Sequence, residues 1–267
     1  MNISKNIHTF IGCDSDYAES RIAIFGAPFD STTSYRPGAR FASSAMRNES
    51  YGIETYSPYQ DKDLLDAEIF DCGDLELCFG SPESALNDIE KMTENIISDG
   101  KLPIMIGGEH LVTLGAVRAA VKKYPDLRIV HFDAHADLRD DYLGQKLSHA
   151  CVMRRCHELL GDGKIFQFGI RSGDREEFLW GREHVYTNRF DFSGIERIKE
   201  KTGDRPVYFT LDLDVLDPSC FCGTGTPEAG GVSYNELIKA IEKVSELNVI
   251  GLSLIHISEP TRLLSIS

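Results

Sequence analysis

Ile129-Val130-His131-Phe132-Asp133-Ala134-His135-Ala136-Asp137 runs from apolar residues into Asp-x-His-x-Asp. Strand alternation would put Asp133, His135 and Asp137 on one face, but a fully extended strand would spread the outer two by roughly 13 Å, at about 3.3 Å per residue. That separation is too large for one small metal site. The backbone should therefore leave the strand near Asp133 and curl, bringing the three side chains together at its carboxyl end. Two carboxylates and an imidazole suit a hard or borderline divalent cation, with manganese favoured over thiolate-seeking metals. The alternative is a solvated acidic loop.

Two further stretches share this form. Leu102 to Ile106 reads as a short buried strand and leads into Gly107-Gly108-Glu109-His110. Val207 to Leu211 reads as another and leads into Asp212-x-Asp214 and then Asp217-Pro218. In open α/β sheets, sites form beyond the carboxyl ends of the strands. Three such ends supply His110, Asp133, His135, Asp137, Asp212 and Asp214. Four carboxylates and two imidazoles exceed what one ion usually takes, whereas two ions sharing bridging carboxylates would use them all.

The remaining segments alternate between strand-like and helix-like patterns. Ser81-Pro82 opens a helix with an N-cap serine and a first-turn proline; it runs to about Ser98, with Leu86, Ile89, Met92, Ile96 and Ile97 on one side. His149 to Leu160 reads as a helix, Ile165 to Gly169 as a strand, and Ser233 to Leu247 as a helix opened by a capping box with Glu236. Ala27 to Arg40 is rich in turn formers and reads as a surface loop. Gly223 to Gly231 lacks the Gly-Lys-Ser/Thr ending of a phosphate loop, so it is expected to shape one wall of a substrate pocket. The alternation predicts one α/β domain over residues 1–267, a three-layer α-β-α arrangement with a mainly parallel sheet.

The formal net charge is −14. Nucleic acid and anionic membrane surfaces are poor partners for such a chain, and a cationic substrate would be drawn in. Seven cysteines, an odd number with no Cys-x-x-Cys, argue against disulfide staples and for reduced thiols in a cytoplasm. Met1 to Cys13 has no long apolar core, so no signal peptide is expected. No run reaches the apolar length of a membrane helix.

Gly107-Gly-Glu-His110, Asp133-Ala-His135-Ala-Asp137 and Asp212-Leu-Asp214-Val-Leu-Asp217-Pro resemble, in order, the metal motifs of the ureohydrolases, the arginase and agmatinase family. The likeness extends from about Arg21 to Gly251. It implies an arginase-like fold and two manganese ions that activate water against a guanidinium carbon, releasing urea. Asp133 and Asp212 would bridge the ions, His110 and Asp137 would complete one shell, and His135 and Asp214 the other. Asp137 would pass a proton to the leaving amine, and His149 would serve as a proton shuttle at the pocket mouth. The resemblance further implies a homo-oligomer, trimeric or hexameric. Gly26-Ala-Pro-Phe-Asp30, Ser34 to Arg40, Gly169 to Gly173 and Gly223 to Glu228 are similar to the agmatinase branch. Gly144 to Ser148 lacks the Ser-Gly-Asn-type segment with which arginases hold an amino-acid end. Agmatine is the expected substrate; arginine and guanidinobutyrate are the alternatives within the family, and metal binding with little turnover is the alternative outside it.

The ending departs from the resemblance. After Gly251 the family continues a strand that ends in a glutamate, and that position falls at about His256. Leu252 to Ser267 reads more like translated sequencing-adapter text than like a protein family. The expectation is an aberrant tail over 252–267 on a truncated frame, giving a chain that is poorly soluble and nearly inactive.

Overall fold

A computed structural model describes residues 8–257. Eight parallel strands form one sheet: β1 (Ile22–Ala27), β4 (Ile69–Asp74), β5 (Leu102–Gly107), β6 (Arg128–Phe132), β7 (Ile165–Ile170), β8 (Tyr186–Arg189), β9 (Val207–Asp212) and β10 (Val249–Ile255). Their spatial order is β4-β1-β5-β10-β9-β6-β7-β8. Two short antiparallel strands, β2 (Tyr56–Ser57) and β3 (Lys62–Asp63), lie outside that sheet. The helices are α1 (Ala42–Ser50), α2 (Pro82–Ser98), α3 (Val112–Lys123), α4 (Val152–Leu160), α5 (Arg175–His184), α6 (Ile198–Thr202) and α7 (Tyr234–Ser245).

Side-chain alternation along the central strands builds two cores. Ile129 and Tyr208 point to the face where Leu86, Ile89 and Ile96 of α2, Leu114 and Val117 of α3 and Val152 of α4 pack. Val130, Phe132, Phe209 and Leu211 point to the opposite face, against Ile198 of α6 and Leu237, Ala240 and Val244 of α7. A parallel sheet buried on both sides needs near-continuous apolar strands, and these have them. This is the three-layer α-β-α arrangement expected. α2 begins at the expected cap, with Ser81 accepting from Ser84 N–H. α5 and β8 are additional to the elements read from the sequence; Asp174 and Glu177 form a capping box at the start of α5. No helix among the described residues is long and apolar enough to cross a membrane.

The expectation of an aberrant tail from Leu252 finds no support in the described part of it. Leu252, Ser253 and Leu254 pair with both β5 and β9, so they sit in the middle of the sheet. Ile255 is fully buried, and Ser253 Oγ lies 2.6 Å from the Tyr208 hydroxyl, satisfying two polar groups inside the core. Leu-Ser-Leu-Ile suits this place because its alternation matches the two buried faces. Residues 258–267, which carry the rest of that expectation, lie outside the described residues.

The turn-rich segment after β1 is a loop, as its composition suggested, and is exposed from Ser34 to Pro37, but its first part is buried. Buried Asp30 accepts from Gly38 N–H and pairs with Arg40. Phe29 lies against the turn after β5, where its carbonyl accepts from Glu109 N–H at 2.8 Å. This contact requires glycine at 108, since a Cβ there would lie 1.9 Å from the Phe29 carbonyl oxygen. Gly108→Ala should therefore cost about 1–3 kcal/mol of stability, as overpacking does. Urea unfolding measures this; an unchanged midpoint would show that the segment can move away freely.

Candidate metal centre and active site

The four adjacent central strands β5, β10, β9 and β6 end side by side. Just past their carboxyl ends stand His110, His256, Asp212 and Asp133, all buried. The chain leaves β6 after Phe132 and curls as expected, and Asp137 takes a left-handed backbone conformation (φ 54°). That conformation is costly for a non-glycine residue. It is held from outside, because the Asp137 carbonyl accepts from Met153 and Arg154 N–H at the start of α4.

All six sequence-derived ligand candidates come together, in two groups. His110 Nδ1 lies 2.8 Å from Asp133 Oδ2, 3.2 Å from Asp137 Oδ2 and 3.5 Å from Asp212 Oδ2. His135 Nδ1 lies 2.9 Å from Asp214 Oδ2 and 3.4 Å from Asp133 Oδ1. Asp133 thus faces both groups, one oxygen to each. His110 Nδ1 and Asp214 Oδ2 are buried without a hydrogen-bond partner, one in each group. His110 has three carboxylate oxygens around Nδ1, none in hydrogen-bonding geometry, while its Nε2 lies 2.9 Å from Thr210 Oγ1. A hydrogen-bond partner on one ring nitrogen leaves the other free for an ion. Hard oxygens, imidazole nitrogens and these two orphaned atoms fit a pair of divalent cations.

The protein's own charges point the same way. Burial, with repulsion from Asp212 and Asp133, pushes the Asp214 carboxyl up to about 8. Asp212 is also pushed up by burial, but neighbouring His256 and His110 together outweigh this and hold it at about 2. Burial opposes the charged forms of His110 and His135, yet the surrounding carboxylates raise both well above the usual imidazole value. A cation would replace those protons.

A cleft of about 260 Å³ opens over the centre, lined in part by Ser34, His135, Asp137, Tyr142, His149 and His256. His149 sits on its wall, with Nε2 3.3 Å from Ser34 Oγ. Burial lowers its imidazole to about 4, so it is neutral at pH 7. The glycine-rich loop supplies Thr226 to the lining, as expected of a pocket wall.

Several residues that shape the site were not singled out from the sequence. His131 Nε2 lies 2.8 Å from Asp133 Oδ2, and its Nδ1 accepts from Gln167 Nε2 at 3.0 Å. Gln167 is held in turn by Thr187 Oγ1, which donates to its Oε1. Buried Glu109 accepts from Thr32 N–H and from the Thr32 and Thr33 hydroxyls, and burial raises its carboxyl to about 7 despite those bonds. Arg171 donates to the carbonyls of Asp214, Val215 and Glu228, tying the turn after β9 to the glycine-rich loop. Polar residues inside the apolar strands, His131 and Gln167, were the available signal: a buried polar group implies a partner.

The arginase family model matches residues 20–261. The chain belongs to the arginase family. It is 46% identical to the agmatinase of Bacillus subtilis (strain 168), over 93% of this chain and 87% of that protein. It is 44% identical to the agmatinase of Bacillus anthracis, with the same coverage of each. Among solved structures, the agmatine ureohydrolase of Thermoplasma volcanium superposes with a TM-score of 0.86 at 36% identity, covering 95% of this chain and 87% of that one. The Medicago truncatula arginase shares the fold, with a TM-score of 0.78 at 24% identity, covering 90% of this chain and 80% of that one.

The His131 link to Asp133 has a measurable consequence. His131→Leu removes the donor that orients Asp133, the carboxylate with one oxygen toward each group. Metal affinity should fall roughly 10–100-fold, as it does when an outer-shell partner of a ligand is lost. Equilibrium dialysis reads the change; unaltered affinity in a folded variant would show that Asp133 is held without His131.

Proposed function

We propose that this chain hydrolyses agmatine to putrescine and urea at a centre that takes two manganese ions. The observation that carries the reading is the shared carboxylate Asp133, facing one imidazole-carboxylate group with each oxygen, beneath a cleft that His135 and Asp137 line. The relatives named as agmatinases supply the substrate. In this reading Asp133 and Asp212 would be shared by the two ions, His110 and Asp137 would help to hold one, and His135 and Asp214 would help to hold the other. When bound, the two cations supply the Lewis acidity that makes water a nucleophile at neutral pH.

The chain's own residues do the rest. Asp137 stands at the cleft floor, where it can hand a proton to the departing amine. His149, neutral at pH 7, can take up a proton and release it toward solvent. The cleft lining carries Asp174 and Glu177 against Arg139, which pairs with both, and the chain lacks a Ser-Gly-Asn-type segment that would hold an α-carboxylate. With manganese loaded, kcat/KM for agmatine should exceed that for arginine by about a hundredfold or more, because an unmatched buried charge is costly. Urea release from the two substrates decides it, and a higher value for arginine would mean that the substrate is wrongly named. A trimeric or hexameric assembly accompanies this reading.

A second reading, metal binding with little turnover, is favoured by one observation. His256 lines the cleft, with Nδ1 2.5 Å from Asp212 Oδ2. Burial opposes its charge, but Asp212 raises the imidazole to about 9. An imidazole at that point, neutral or charged, cannot balance a guanidinium where the family resemblance implies a glutamate. His256→Glu should therefore raise kcat/KM for agmatine at least about tenfold, the effect of about 1.4 kcal/mol in the transition state. Steady-state kinetics on the manganese-loaded variant tests this. Equal or lower turnover would show that His256 does not hinder the reaction.

A further inference from the structure

Away from the cleft, three side chains converge where α4 turns into β7 and α5 ends. His157 lies in α4, Asp162 in the turn after it, and His184 at the end of α5. His157 Nε2 is 2.8 Å and His184 Nδ1 2.6 Å from the same oxygen, Asp162 Oδ1. The three donor atoms lie within 4.8 Å of one another. The backbone holds them in place: Gly161 N–H donates to the His157 carbonyl at 2.7 Å and Gly163 N–H to the His184 carbonyl at 2.9 Å.

We propose that His157, Asp162 and His184 form a peripheral binding site for a zinc-class divalent ion. Two imidazoles and one carboxylate suit zinc, cobalt or nickel rather than magnesium or calcium. An ion about 2.0–2.1 Å from each nitrogen and 2.0–2.2 Å from the carboxylate oxygen fits inside the span of these donors. The site is open on one side. The Asp162 side chain is 67% exposed while His157 and His184 are only 15% and 28% exposed, so water can complete the shell. The two imidazoles hold the Asp162 carboxyl below its usual range, so its oxygen is anionic and ready to coordinate. Arg154 is the opposing charge: its guanidinium carbon lies 3.8 Å from the Trp180 ring centroid, beside the site, and limits its affinity. An ion here ties the end of α4 to the end of α5. Without one, the same atoms make a hydrogen-bonded clamp.

The site carries its own reporter. Trp180 is the single tryptophan of the chain, and its ring stacks on His184, with centroids 4.2 Å apart and planes at 22°. A paramagnetic ion bound to His184 must quench it. The test is to saturate the full chain with manganese, titrate with cobalt chloride and follow Trp180 fluorescence. The expected result is saturable quenching at one equivalent, reversed by a chelator and competed by zinc. His157→Gln should weaken the cobalt midpoint at least about tenfold, with agmatine hydrolysis unchanged. Asp162→Asn, at an exposed position, should do the same without risk to folding. Quenching that never saturates, or that keeps its midpoint in both variants, would overturn the proposal and leave the trio as a clamp.

Discussion

Burial of like charges at the ends of the central strands is the constraint on which the rest of this structure depends. Asp133, Asp212 and Asp214 are all buried, and each faces at least one of the others across the site. Two unit charges about 4 Å apart repel by about 4 kcal/mol even at an effective dielectric constant of about 20. A domain whose whole stability is roughly 5–15 kcal/mol tolerates such repulsion only if positive charge is interleaved. The protein's own imidazoles do this in part: His110, His135 and His256 each stand against a carboxylate. Asp214 relieves the remainder by holding a proton up to about pH 8. Divalent cations meet the same need with more charge in less space, which is why the fold and the metal chemistry belong together.

The sheet makes that crowding possible. Parallel strands present all their carboxyl ends to one side, and the order β5-β10-β9-β6 gathers the three ligand-bearing ends, those of β5, β9 and β6, around the end of β10 with its His256. Strands in register need no long loops to bring side chains within 3–4 Å. Precision comes from a layer of neutral and cationic groups behind the carboxylates. Thr210 orients His110, the Thr187-Gln167-His131 chain orients Asp133, and Arg171 anchors the backbone around Asp214. Each sits on a different element, so the ligands are fixed to the rigid sheet rather than to one loop.

The turn-rich segment after β1 shows how far a local reading can mislead. Its composition says loop, and in backbone terms it is one. Its buried side chains nevertheless do structural work: Asp30 closes it on itself through Gly38 and Arg40, while Thr32 and Thr33 cap Glu109 next to His110. Composition reports the tendency of backbone to turn; it says nothing of what another strand will bring alongside.

The sequence alone determined the alternation of strand and helix, the three acidic or histidine-bearing strand ends and the six clustered ligand candidates. Those signals are local: a short apolar run followed by carboxylates and imidazoles at fixed spacing carries its chemistry with it. Only the tertiary structure decided which strands are neighbours. The central place of β10 follows from pairing between residues about 45 and 150 positions apart in the chain. That pairing drew Leu252 to Ile255 into the sheet, against the reading of those residues as an aberrant tail, and set His256 beside Asp212. It likewise gave His131 and Gln167, which look like stray polar residues in apolar strands, the partners that explain them. Side-chain type can be read from one residue, but the charge and hydrogen bonds that tune it come from residues far away in sequence, which only the packed sheet brings within reach.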